Sequence, residues 1–221
     1  MGKKIIVFDI CGTLFQSNTT FDFLDYYLLT NKKYQKYKKI FKTLLWRCFN
    51  KFLRNYFNLD LTRVIAITFL KGVSRNQLLE CTEQFYDNCL LAKSNREVVQ
   101  TLTNYCLRKD CRVILLSATI DVVAETIANK LNCAEFYSTQ LEYSSKGVCL
   151  GNIQKDLLGK KKQVLKDLNI NQVDLFYTDD ITDVPVLEVT KNKKIIAYSK
   201  HIQQWQKLIN EKQWEVDYIN V

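Results

Sequence analysis

Four short apolar runs punctuate the chain: Ile5 to Phe8, Val113 to Leu116, Leu175 to Tyr177 and Ile195 to Tyr198. Continuous β-branched and aromatic runs read as strands covered on both faces, the pattern of a parallel sheet. Between them the apolar spacing lengthens to that of helices. Val123, Ile127 and Leu131 mark one over Asp121 to Leu131, and Val164, Leu165 and Leu168 mark another ahead of the third strand. Strands alternating with helices predict an α/β fold, a parallel sheet flanked by helices. Phe136 to Ile153 alternates in short segments around Ser144-Ser145-Lys146-Gly147, which predicts a hairpin or short edge strands. The C-terminal part predicts a helix from His201 to Asn210 and a closing strand over Trp214 to Ile219.

Residues 17 to 90 break this rhythm. They carry dense helical periodicity without strand patterning, almost no glycine and no proline. This predicts an inserted all-α domain over 17–90 and a core domain made of 1–16 and 91–221. Tyr26 to Phe57 interleaves nine lysines and arginines, from Lys32 to Arg54, with apolar and aromatic residues. Such a stretch either packs its apolar face on neighbouring helices or lies on an anionic membrane surface.

Composition narrows the class. Of 221 residues, 47% are hydrophobic and 25% charged, which is the balance of a soluble globular protein. No apolar run approaches the length needed to span a bilayer, and the first one ends at Asp9, too early for a signal peptide. Eight cysteines without a C-x-x-C pair, and His201 as the single histidine, argue against zinc and for reduced thiols in the cytoplasm. The net charge of +9 predicts attraction to phosphate esters, nucleic acid or a membrane surface. No recognised nucleic-acid fold or stacking motif accompanies the basic residues, which argues against nucleic acid.

The chemistry-bearing residues gather at strand ends. Asp9 is the first residue beyond the first strand, where ligands of open α/β sheets sit. Gly12 permits a sharp turn, and Thr13 offers a hydroxyl and an N–H. Ser117 follows the second strand, Asp179, Asp180 and Asp183 follow the third, and Lys160, Lys161 and Lys162 open the preceding helix. Carboxylates, a hydroxyl and an ammonium at one sheet edge suit Mg²⁺ and a phosphate. Magnesium takes hard carboxylate oxygens, and a phosphoryl group takes a point charge and a hydrogen-bond donor.

Four segments in this order, FDICGTL, LLSAT, the lysine cluster and YTDDITDVPVL, resemble the motifs of the haloacid dehalogenase superfamily, specifically its phosphoserine-phosphatase-like branch. The resemblance extends over nearly the whole chain. It implies a Rossmann-like core, a helical cap inserted after the first strand and an aspartyl-phosphate mechanism. It implies Asp9 as nucleophile, and Mg²⁺ held by Asp9, Asp179 and the backbone carbonyl of Cys11. It also implies Ser117, with Ala118, and the motif lysine on the phosphate, beside Gly12 and Thr13. Asp183 would orient the lysine or support the metal from behind. Lys161 fits the spacing best, with Lys162 close behind it, and Asp180 is either a metal residue or a helix-capping turn residue.

One position departs from the family. Phosphatases of this superfamily carry a second aspartate two residues after the nucleophile, as general acid and base; here it is Cys11. A thiol is a poor proton donor and, when neutral, a poor base. Its backbone carbonyl is unaffected, so the expected metal site survives. Three readings follow: a phosphatase for a small-molecule sugar, lipid-linked or amino-acid phosphate, a phosphotransferase with a long-lived phosphoaspartate, or an inactive binding protein. The resemblance also admits a basic cap leaning on an anionic membrane, with the protein cytoplasmic and peripheral.

Overall fold

Strand β1 (Lys4–Phe8) opens the fold and leads through the Asp9–Ser17 turn into a series of helices: α1 (Thr19–Tyr27), α2 (Lys32–Phe41), α3 (Leu44–Phe57), α4 (Leu61–Thr68) and α5 (Arg75–Phe85). The computed structural model describes residues 2–57, 59–199 and 201–220. A π-helical turn over Tyr86–Leu90 and a 3₁₀ turn over Leu91–Lys93 lead to α6 (Arg96–Cys106). There follow β2 (Cys111–Ile120), α7 (Asp121–Lys130), β3 (Phe136–Tyr143), β4 (Cys149–Lys155), α8 (Lys161–Asp167), β5 (Val173–Thr178), α9 (Val184–Leu187), β6 (Thr190–Ala197), α10 (Ile202–Lys212) and β7 (Val216–Asn220).

The seven strands form one sheet in the order β4-β3-β2-β1-β5-β6-β7. All neighbours are parallel except β3 and β4, the expected edge hairpin. β1 is central, with Phe8 level with Leu115 of β2 and Tyr177 of β5. Alternate residues of β1 feed two cores, because successive strand side chains point to opposite faces. Ile6 and Phe8 join the core under the inserted helices, α6 and α7, while Val7 joins the one under α8, α9 and α10, where Val164, Leu187 and Trp205 are buried. This is the Rossmann-like α/β fold with a helical insertion.

Two expectations about strand ends are corrected. β2 does not stop at Leu116 but continues through Ser117 to Ile120, so Ser117 lies within a strand. Its pairing with β1 ends at Leu115, and its register with β3 shifts between Leu116 and Ile120, which frees the segment around Ser117 from β1. β6 ends at Ala197, leaving Tyr198 just outside; its hydroxyl donates to the Gly12 carbonyl at 2.7 Å.

The inserted helices are joined to the edge hairpin through the backbone. Gly72 N–H donates to Cys149 O, Cys149 N–H to Val73 O and Arg75 N–H to Gly147 O. Helices then run on through α6, which packs on β2.

Candidate active site

Parallel strands that end together deliver their following residues to one place. Asp9 follows β1, Asp179 follows β5, and Ser117 lies on β2 beyond its pairing with β1. With Lys161, from the first turn of α8, they line a cavity of about 720 Å³.

Asp9 is almost fully buried. Ile10 N–H donates to its Oδ1 at 2.7 Å and the Lys161 ammonium stands 3.0 Å from its Oδ2. Burial raises its carboxyl above the usual range, against the pull of Lys161, the Ile10 N–H and Ser117. Lys161 also donates to Asp183 Oδ2 at 2.7 Å, and Thr178 donates its hydroxyl to the same oxygen at 2.6 Å. Burial alone would lower the Lys161 ammonium, but Asp183 and Asp9 outweigh it and hold the group charged. The neighbouring Lys162 turns away to Glu188 at 3.5 Å. Asp180 caps the following 3₁₀ turn, accepting from Thr182 N–H at 2.9 Å, as a turn residue does.

Gly12 decides how closely Asp179 can approach. Its φ is +71°, and a Cβ built there would fall 2.1 Å from Asp179 Oδ2, so the carboxylate fills the space a side chain would need. Thr13 donates its hydroxyl to Asp179 Oδ1 at 3.1 Å. Burial, with Asp9 and Asp180 nearby, pushes the Asp179 carboxyl up to about 8, and burial pushes Asp183 to about 6. Among the described residues no group of three or more His, Cys, Asp or Glu is arranged to hold a metal. The donors that fit Mg²⁺ are two carboxylates, Asp9 and Asp179, with the Cys11 carbonyl, all hard oxygens; the Gly12 cradle that admits Asp179 suits this set.

The Cys11 thiol faces hydroxyls. Its Sγ lies 2.9 Å from Thr19 Oγ1, which lies 2.6 Å from Thr119 Oγ1, and Ser117 reaches it at 3.9 Å. Burial, reinforced by Asp9, pushes the thiol up to about 11, so it is neutral at physiological pH.

Two residues of this neighbourhood were missed in the sequence. Arg63 of α4 is 4% exposed; it donates to the Ala118 carbonyl at 2.8 Å and to Asp156 at 2.6 Å. Its Nε–H has no partner among the described residues, and the side chain lines the cavity. The signal was one arginine directly ahead of the apolar run Val64-Ile65-Ala66-Ile67, since a charge buried beside such a run needs a partner. The indole of Trp205 donates to the Asp179 carbonyl at 3.3 Å, fixing the turn after β5 from behind.

A family model described as haloacid dehalogenase-like hydrolase matches residues 6–188. The chain belongs to this family. Among solved structures, its haloacid dehalogenase-like fold is similar to that of a Bordetella pertussis Tohama I protein of unknown function, with TM-score 0.70, 20% identity and 98% of each chain covered. It is also similar to a phosphoserine phosphatase in a phospho-aspartyl intermediate analogue, with TM-score 0.58, 14% identity, 96% of this chain and 99% of that one. A cytosolic 5'-nucleotidase IIIB bound to cytidine gives TM-score 0.59 and 12% identity, over 98% of this chain and 80% of the other. No curated protein sequence matches. At these identities the structures speak for the fold alone.

Proposed function

We propose that this haloacid dehalogenase-like protein is a Mg²⁺-dependent phosphatase for a small-molecule phosphate, with Asp9 as the nucleophile. The observation that carries it is the buried Lys161 held between Asp9 and Asp183 at the floor of the cavity. Family membership and the phosphoserine phosphatase neighbours support a phosphatase. In this reading one Asp9 oxygen attacks phosphorus, the ester P–O bond breaks, and the phosphoryl group rests on the carboxylate. The Ser117 hydroxyl, the Lys161 ammonium and the N–H groups of Thr13 and Ala118 hold its oxygens, the Gly12 N–H being taken by the Phe15 carbonyl. Water then attacks the same phosphorus, releasing inorganic phosphate and restoring the carboxylate. Mg²⁺ held by Asp9, Asp179 and the Cys11 carbonyl would supply positive charge against the phosphoryl oxygens. Asp183 positions Lys161 and keeps it protonated.

The substrate class fitting this reading is a sugar, lipid-linked or amino-acid phosphate. The helical residues 17–90 act as a cap over the core of 1–16 and 91–221, and the protein works in the cytoplasm.

Cys11 shapes the chemistry. A thiol pushed up to about 11 neither protonates a leaving oxygen well nor activates water at neutral pH. Substrates whose leaving group needs little protonation, such as anomeric or acyl phosphates, suit it best. The same neutral thiol favours a second reading, a phosphotransferase whose phosphoaspartate waits for an acceptor other than water.

The test is phosphate release from a panel of sugar, acyl, lipid and amino-acid phosphates, with and without Mg²⁺, beside Asp9→Asn. Turnover that requires Mg²⁺ and disappears in Asp9→Asn is the expected result. Turnover that survives Asp9→Asn would refute the assignment of the nucleophile.

A further inference from the structure

Helix α3 is built inside out. On its inner side it makes polar bonds: the Trp46 indole donates to Thr62 Oγ1 at 2.8 Å, Asn50 Nδ2 donates to Asp60 at 3.0 Å, and Asn50 Oδ1 accepts from Thr62 N–H at 3.1 Å. Its outward side is apolar. Leu45, Phe49, Phe52 and Tyr56 recur at steps of four, three and four, which aligns them in one stripe. All four are exposed, Leu45 at 84% and Tyr56 at 73%, and Leu44 beside them at 75%. Exposed large apolar residues scattered singly are ordinary, whereas a contiguous stripe along one helix marks an interaction surface.

Charge selects the partner. Arg47, Lys51 and Arg54 are exposed on the side of the helix turned away from this stripe, without an ion-pair partner among the described residues. Residues 26–59 hold nine of the chain's 32 lysines and arginines and none of its 23 acidic residues. The rest of the chain is therefore balanced, and the whole net charge of +9 belongs to this segment. A second copy docking through the same face would bring two such segments together, which repels. An anionic bilayer satisfies both features, taking the apolar stripe below the headgroups while the basic charge of the segment is drawn to the anionic surface.

We infer that the outer face of α3 is a docking surface for an anionic lipid bilayer, on which the helix lies in the plane of the membrane. A helix of 14 residues is about 21 Å long, and no helix among the described residues is long and apolar enough to cross a membrane. Arg54 lines the cavity that contains Asp9, which places this helix beside that cavity. The surface is independent of the chemistry assigned to Asp9.

The experiment is co-sedimentation of the full chain with vesicles of phosphatidylcholine alone, and of three parts phosphatidylcholine to one part phosphatidylglycerol. Partition onto the anionic vesicles should exceed that onto neutral ones by about tenfold or more, and fall as salt rises. Phe49→Ser with Phe52→Ser should lower it by about tenfold or more, with circular dichroism and thermal midpoint unchanged. Arg47→Glu with Lys51→Glu should abolish the preference for anionic vesicles. Absence of binding by the parent chain, or equal binding by the phenylalanine double variant, would overturn the inference. So would a dimer in sedimentation velocity that this double variant dissolves, since the face would then belong to a second copy.

Discussion

Lys161 is the residue on which the site turns, because one buried ammonium balances two buried carboxylates. Lys161→Met leaves Asp9 and Asp183 facing each other without a cation. It should cut phosphate release by about 10²-fold or more, by analogy with losing one donor to a developing charge. Lys162→Met, whose partner is the surface Glu188, should change it less than about twofold, since surface pairs contribute little. Steady-state kinetics of the two variants side by side check the pair. A comparable loss in both would remove Lys161 from its assigned role. Sequence could not separate these lysines. They are adjacent, and only the start of α8 sends one inward and the other out. Ser117 was named in the sequence but expected after its strand, because an apolar run shows where burial ends rather than where hydrogen bonding ends. Asp180 fits two roles by sequence, and its acceptance from Thr182 N–H makes it a cap. At Cys11 the sequence shows a thiol where phosphatases of the superfamily carry a second aspartate. If the missing carboxyl limits turnover, Cys11→Asp should raise phosphate release by about 10²-fold or more, within the usual range for positioned acid–base catalysis. A Cys11→Asp variant no faster than the parent would mean that proton transfer is not limiting.

At the scale of elements, the alternation of strands and helices was written in periodicity, whereas the strand order β4-β3-β2-β1-β5-β6-β7 was not. What periodicity could not show was which helix faces meet which neighbours. The apolar residues of α3 had two readings, core-facing or membrane-facing, and they look identical in a sequence. The structure shows that the inner side of α3 carries the polar bonds of Trp46 and Asn50, while Leu45, Phe49, Phe52 and Tyr56 stay exposed. The role of Arg63 was hidden for the same reason: its partners, the Ala118 carbonyl and Asp156, come from β2 and from the segment after β4. This pair ties α4 to the core beneath the cavity. Arg63→Ala strands the Asp156 carboxylate and should destabilise the fold by about 3 kcal/mol, the cost of breaking a largely buried pair. Urea denaturation measures it, and a loss below about 0.5 kcal/mol would show that the pair is a surface-like contact.

For the whole molecule, the acidic site makes stability depend on pH in a direction opposite to that of ordinary salt-bridged carboxylates. Asp179 and Asp183, pushed up to about 8 and about 6, hold protons in the folded chain that they would release when unfolded. The folded state thus binds more protons between about pH 4 and pH 8, and metal-free stability falls as pH rises through that window. Thermal unfolding without Mg²⁺ should give a lower midpoint at pH 8 than at pH 5.5, and added Mg²⁺ should raise the midpoint most at pH 8. A midpoint that climbs over that interval in EDTA would contradict the site's charge arrangement. The backbone bonds between Gly72, Val73, Arg75 and the β3–β4 hairpin set a different limit, on motion. A helical insertion laced to the sheet edge at three points cannot swing away as a free lid without breaking those bonds. Admission to the cavity is then left to side chains and to the α2–α3 side of the insertion. The amides of Gly72 and Cys149 should exchange with solvent as slowly as those of the central strands, and traffic through the site should be paced by its aperture rather than by a hinge.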